Sequence, residues 1–124
     1  MSVSIYYTVK RKHPLTNEEN LSIQKIISNN DVKEELEHYL KTGQGYNWES
    51  FTIYPKDESG ETIFEGSTKL PDNSEDAITV GLEHWLNTLT QIRRAIPDTV
   101  WYVHLDDLDI PWNSDSQSFD LTLI

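Results

Sequence analysis

The sequence predicts an α+β fold: a mainly antiparallel sheet with helices on one face, in the order β-α-(α)-β-β-α-β-β. Three observations carry that prediction. Val3, Ile5, Tyr7 and Val9 alternate with Ser4, Tyr6, Thr8 and Lys10, the period of a half-buried strand. Ile78, Leu82, Trp85, Leu89, Ile92 and Ile96 recur at spacings of four and three, a sustained amphipathic helix. Between that helix and an earlier helical stretch lies a pattern of two short strands. Helices separated by a hairpin suggest the split βαβ arrangement, so a ferredoxin-like core with an added C-terminal strand is the first choice and an unrelated α+β sandwich the alternative.

The elements follow in order. After the first strand, Lys10-Arg11-Lys12-His13 carries the chain toward solvent and Pro14 bars further pairing. Thr16 and Glu19 form a capping-box pattern, each side chain satisfying a backbone donor at a helix start. Leu21, Ile23, Ile26 and Ile27 give that helix a loose apolar side. Asn29-Asn30-Asp31 interrupts it and caps a second segment, where Val32, Leu36, Tyr39 and Leu40 share one face. Gly43 and Gly45 end this segment. Phe51 and Ile53 alternate with Ser50, Thr52 and Tyr54, and Thr62-Ile63-Phe64-Glu65 answers across a polar loop from Pro55 to Gly60, as in a hairpin with a long tip. Asp72-Asn73-Ser74 is placed to cap the long helix. Glu75 and Asp76 suit its positive end, and Arg93 and Arg94 its negative end, before Pro97 stops it. Thr99 to Leu105 predicts a further strand, and Phe119, Leu121 and Leu123 alternate through a last one.

With 124 residues, the chain fits a single domain over 1–124, able to bury roughly two thirds of its unfolded surface. The absence of cysteine excludes disulfides, thiolate metal sites and cysteine nucleophiles. Ten Lys and Arg against twenty-one Asp and Glu give a net charge of −11, a surface that repels phosphate, so no nucleic-acid partner is expected. The first seven residues lack a charged n-region and a long apolar stretch, and no apolar run reaches the length of a span. An acidic, soluble, cytoplasmic protein with no membrane partner is the expectation; the sequence sets no oligomeric state.

Catalytic motifs are scarce. The segment from Trp101 to Asp109 sets His104 beside Asp106, Asp107 and Asp109, residue types that hold hard cations through oxygen. The calcium-loop pattern nevertheless fails, because counting from Asp107 puts Pro111 and Trp112 where a ligand and a turn glycine belong. Glu37-His38 and Glu83-His84 are adjacent pairs, which point about 100° apart on a helix and do not reproduce the i, i+4 histidines of zinc proteases. His84 and His104 would form an acid–base site only if the fold brought them together. Gly43-Gln44-Gly45 lacks the third glycine and preceding strand of a dinucleotide fingerprint, and Glu65-Gly66-Ser67-Thr68 lacks the second glycine of a nucleophile elbow. The expectation is therefore no enzyme, no catalytic residue, no metal and no cofactor.

Charge distribution says more. Residues 98–124 carry six carboxylates and no Lys or Arg, interleaved with Trp101, Tyr102, Trp112 and Phe119. Aromatic rings anchor interfaces, and surrounding acids steer a basic partner. Pro111 breaks pairing, which would present Ile110 and Trp112 on a loop. The expected partner-binding residues are accordingly Asp106, Asp107, Asp109, Trp112 and Asp115, with Trp112 as an exposed anchor. Lys10-Arg11-Lys12 reads as a strand-end gatekeeper.

At Lys69-Leu70-Pro71-Asp72-Asn73-Ser74-Glu75-Asp76 and Gly81-Leu82-Glu83-His84-Trp85-Leu86 the chain resembles a group of small, largely uncharacterised acidic bacterial proteins. In size, acidity and α+β character it is also similar to immunity proteins of bacterial polymorphic or contact-dependent toxin systems. That resemblance implies a non-enzymatic module neutralising a basic toxin domain by direct binding, and it brings no functional residue with it. Two alternatives stand beside it: a small metal-dependent or acid–base enzyme using His104, Asp106 and Asp107, with His84, and an acidic mimic of nucleic-acid phosphate.

Overall fold

A computed structural model describes residues 3–54 and 60–123. Its elements are β1 (Ser4–Lys10), α1 (Asn17–Asn29), α2 (Lys33–Thr42), β2 (Thr62–Lys69), α3 (Ala77–Ala95), β3 (Val100–Leu105), β4 (Leu108–Asp109), β5 (Trp112–Asn113) and β6 (Ser118–Phe119), followed by a 3-10 turn over Leu121–Leu123. Two sheets form, one in the order β2-β1-β3-β4 and one pairing β5 with β6. Every pairing is antiparallel. The α+β class with helices against one sheet face is what the sequence predicts. The strand order is that of a ferredoxin-like core whose second strand has shrunk to a single bridge, Tyr54 to Glu65.

The alternation in β1 decides which face is covered. Ile5, Tyr7 and Val9 are at most 1 % exposed, and they meet Val103 of β3, Phe64 of β2, Ile23 of α1 and the Leu82, Trp85, Leu89 and Ile92 stripe of α3 in one apolar cluster. Burying such a side chain stabilises by about 1.5–3 kcal/mol, so this stripe is the main tie between helix and sheet. Gly66 lies directly opposite Tyr7 in the register. A Cβ there would overlap the Thr52 carbonyl oxygen and lie 2.7 Å from the Tyr7 ring, so only glycine lets the 51–54 segment cross so closely.

That crossing explains why the expected strand at Phe51–Tyr54 does not form. The Phe51 ring stacks on Tyr7, with centroids 4.8 Å apart, and packs against Trp85. The Tyr7 hydroxyl donates to the Thr52 carbonyl, and the Thr52 N–H donates to Thr68 Oγ1. Side chains thus take the backbone groups that a strand would have offered to β2. The predicted loop tip at Pro55–Gly60 falls largely on residues 55–59, outside the described residues.

Other boundaries also moved for local reasons. The Thr16–Glu19 capping box forms as expected, and Gly43 closes α2 at φ +70°. Leu21 and Leu40 are more than two thirds exposed, at 71 % and 72 %, so the two early helices bury narrower faces than their composition suggests. Asp72 and Asn73 do not cap α3. Asn47 and Asp72 exchange two hydrogen bonds of 2.8 Å, and Asn73 bonds the backbone at Asn47 and Gly45, fastening the 45–47 loop. The last predicted strand stops after Phe119, because Asp120 Oδ1 accepts from both the N–H and the hydroxyl of Thr122 and curls the chain. Among the described residues no helix is long and apolar enough to cross a membrane.

Arg11 departs most from expectation. It is 7 % exposed rather than a solvent-facing gatekeeper, because the inward alternation of β1 runs one step past the strand. Its guanidinium donates to both carboxylate oxygens of Glu19, at 2.7 and 2.9 Å, and to the carbonyls of His13, Pro14 and Pro97. The Arg11 side chain, and then the Thr16 N–H, hold the Glu19 carboxyl down at about 2 from its ordinary 4.5. A carboxyl with a lowered folded-state pKa stabilises fully above its unfolded pKa and loses that contribution as pH falls through its folded value. Denaturant melts of the wild type and Glu19→Gln should therefore show a lead for the wild type at pH 7 that drains between about pH 4.5 and 2. A lead that stays constant down to pH 2.5 would refute this role.

Candidate functional site

Helices cover one face of the large sheet and leave the other open. Strand register places on that open face a row formed by Ser67, Tyr6, His104 and Asp109, and next to it a row formed by Glu65, Thr8 and Tyr102. Tyr54 joins the second row through its bridge to Glu65, with its hydroxyl 2.7 Å from Ser67 Oγ. Tyr6, Tyr54 and Tyr102 are 40, 46 and 54 % exposed. All three exposed tyrosines of the chain thus stand on one surface.

The rings on this face are already organised. Tyr6 and His104 stack in parallel, 5.1 Å between centroids and 14° between planes. Lys10, next along β1, brings its ammonium to 5.7 Å from the Tyr102 ring centre, within the range of a cation–π contact. His104 Nδ1 lies 2.9 Å from the Asp106 carbonyl oxygen. A carbonyl only accepts, so Nδ1 carries a hydrogen in this contact.

One border of the face is the acidic β3–β4 hairpin. Asp106 and Asp107 form its two-residue tip, and Asp106 takes φ +42°, the positive value that tight hairpin turns require at the first central residue and that Asp tolerates better than most. Asp106, Asp107 and Asp109 are exposed and make no ion pair among the described residues. A two-residue edge strand ending in a carboxylate also discourages further strand addition.

The five residues expected to bind a partner are divided by the fold. Asp106, Asp107 and Asp109 belong to this hairpin, whereas Trp112 and Asp115 belong to the β5–β6 arm. Trp112 is not presented on a loop: it pairs with Phe119, packs edge-on against that ring at 5.0 Å and lies under Arg93, 4.2 Å from the guanidinium carbon to the ring centre. Ile110, expected beside it, is 5 % exposed, with its N–H bonded to the Val103 carbonyl. Asp115 is exposed in the β5–β6 turn, which Arg94 secures through the carbonyls of Ser116 and Gln117. Arg93 and Arg94 therefore fasten this arm as well as suiting the end of α3.

His84 and His104 do not meet. His84 lies on the helix side, 2.7 Å from the Asn30 carbonyl and against Trp48 and Trp85, while His104 faces outward with Tyr6. The sheet stands between them. Among the described residues no three His, Asp or Glu side chains gather as a metal ion would need. His104 meets the backbone of Asp106 rather than its carboxylate, so the Asp does not orient the imidazole as in a catalytic dyad.

Of the three tyrosines, only Tyr102 stood out in the sequence, among the C-terminal aromatics. The signal was present in part: Tyr6 occupies an outward position of β1, and Tyr102 and His104 alternate with the inward Trp101 and Val103. Aligning them required the register. Known protein families, curated proteins and solved structures give no match to this chain.

The packing of Trp112 has a measurable consequence. Trp112→Ala should lower stability by about 2 kcal/mol, less than the roughly 3–5 kcal/mol of a fully buried Trp because the ring is only part covered. Urea denaturation checks this, and a variant as stable as the wild type would mean that the ring carries no packing role.

Proposed function

We propose that this chain is a non-enzymatic protein-binding module, an immunity protein that neutralises a basic toxin domain by direct contact. The observation that carries the reading is the open sheet face, where three exposed tyrosines stand beside an unpaired acidic hairpin. Tyrosine gives large, stiff contact area with a polar tip, which is why it is enriched among interface hot spots. A net charge of −11 accelerates encounter with a basic surface and turns away acidic ones. The face measures about 19 by 23 Å at ordinary strand spacings. That is roughly half of the ~800 Å² each partner contributes to a standard interface, so the hairpin with Asp106, Asp107 and Asp109 extends the contact area.

The alternatives draw on fewer observations. A phosphate mimic calls for carboxylates spaced along one elongated face, and these three cluster at one hairpin. An acid–base enzyme calls for a second group beside His104, and Asp106 offers it a carbonyl.

The reading expects a basic toxin domain to be encoded beside this chain and co-expression with it to protect cells; no such neighbour, or wild-type failure to protect, would overturn it. Replacing Tyr6 and Tyr102 together by Ala should leave the circular dichroism spectrum intact, because both rings point outward. It should weaken binding by at least ~2 kcal/mol, about 30-fold in Kd. Unchanged affinity would remove the open face from the interface.

A further inference from the structure

We infer, on the strength of the binding-module reading, that the open face receives an arginine side chain of the basic partner, and that Lys10 occupies this place in the free protein. Three observations converge. The Tyr102 ring already carries a cation, the Lys10 ammonium at 5.7 Å. Two residues along β3, His104 stacks in parallel on Tyr6 of β1, and the two rings form a flat aromatic pair on the same surface. Directly opposite His104 stands Asp109, whose carboxylate makes no ion pair among the described residues. Rings that attract a cation, next to a free carboxylate, match the chemistry of a guanidinium. Its plane stacks on aromatic faces while its N–H groups bond a carboxylate in pairs. A lysine ammonium, a compact and strongly hydrated point charge, uses only part of that arrangement.

Lys10 then acts as a specificity-determining residue. Its charge must leave Tyr102, or share the face with the incoming cation, before the partner seats. Its removal should therefore strengthen binding, the opposite of what deleting an ordinary contact residue does. A second copy of this chain is a poor occupant, since it brings another −11 charges to the same surface.

The test has two arms. In the first, N-acetyl-arginine amide, N-acetyl-lysine amide and N-acetyl-norleucine amide are titrated into the full chain, with the ring resonances of Tyr6, Tyr102 and His104 followed by NMR. Arginine should move these signals at lower concentration than lysine, and norleucine should not move them. Lys10→Ala should tighten the arginine response about 2- to 5-fold, the worth of an exposed cation–π contact, and Asp109→Asn should weaken it. Equal responses to the three amides, or no tightening in Lys10→Ala, overturn the inference. In the second arm, the basic toxin domain that the binding-module reading expects replaces the amides. Binding by the wild type that neither variant alters overturns this assignment and leaves the binding-module reading standing. No binding by the wild type overturns that reading and this assignment with it.

Discussion

The guanidinium of Arg11 ties the exit of β1 and the first turn of α1 to a part of the chain 86 residues away in sequence, the connection from α3 into β3. Its five N–H donors meet five oxygens, two from the Glu19 carboxylate and three from backbone carbonyls at His13, Pro14 and Pro97. A buried charge with unfilled donors would be strongly destabilising, so these segments are held wherever the side chain needs its acceptors. Glu19 meanwhile bonds the Thr16 N–H and completes the cap of α1. One carboxylate thereby fixes both the start of a helix and its distance from the central strand.

From that clamp the layering follows. With α1 and α3 held against the inward side of β1, the aromatic side chains of Phe51, Trp48 and Trp85 fill the space beside Tyr7. Burial pushes the Tyr7 phenol up, so this hydroxyl stays protonated and donates to Thr52. The bare backbone at Gly66 lets the 51–54 segment turn into this layer. All of this material lies on one side of the sheet. Nothing among the described residues closes the other side, and Tyr6, Tyr54 and Tyr102 are left facing outward.

The acidic C-terminal quarter is likewise organised by what its aromatics pack against. Arg93 sits over Trp112 and near Trp101 and Phe119, and burial lowers its pKa. These rings make an apolar seat for its guanidinium. The hairpin carboxylates have no such role in the fold and remain free beside the open face. Aromatic residues and acids that alternate along the chain are thus separated in space, the rings of Trp101, Trp112 and Phe119 to the helix side and Asp109 to the open side.

Much of this architecture was legible in the sequence because period and local chemistry are properties of short segments. The alternation of β1, the stripe of α3, the Thr16–Glu19 box and the glycine stop of α2 each need only neighbouring residues. The same alternation, carried one step further, also points Arg11 inward, although its charge argues for solvent. Tertiary structure decided the rest. Period assigns a side chain to one face of its own strand, but which faces align, and which of them a helix covers, depends on contacts tens of residues apart. Tyr6, Tyr102 and His104 became one surface only through the register of β1 with β3. Trp112 became a packing residue only because Arg93 and Phe119 reached it. Composition determined that the protein is acidic and rich in rings; long-range packing decided which of those rings were left exposed.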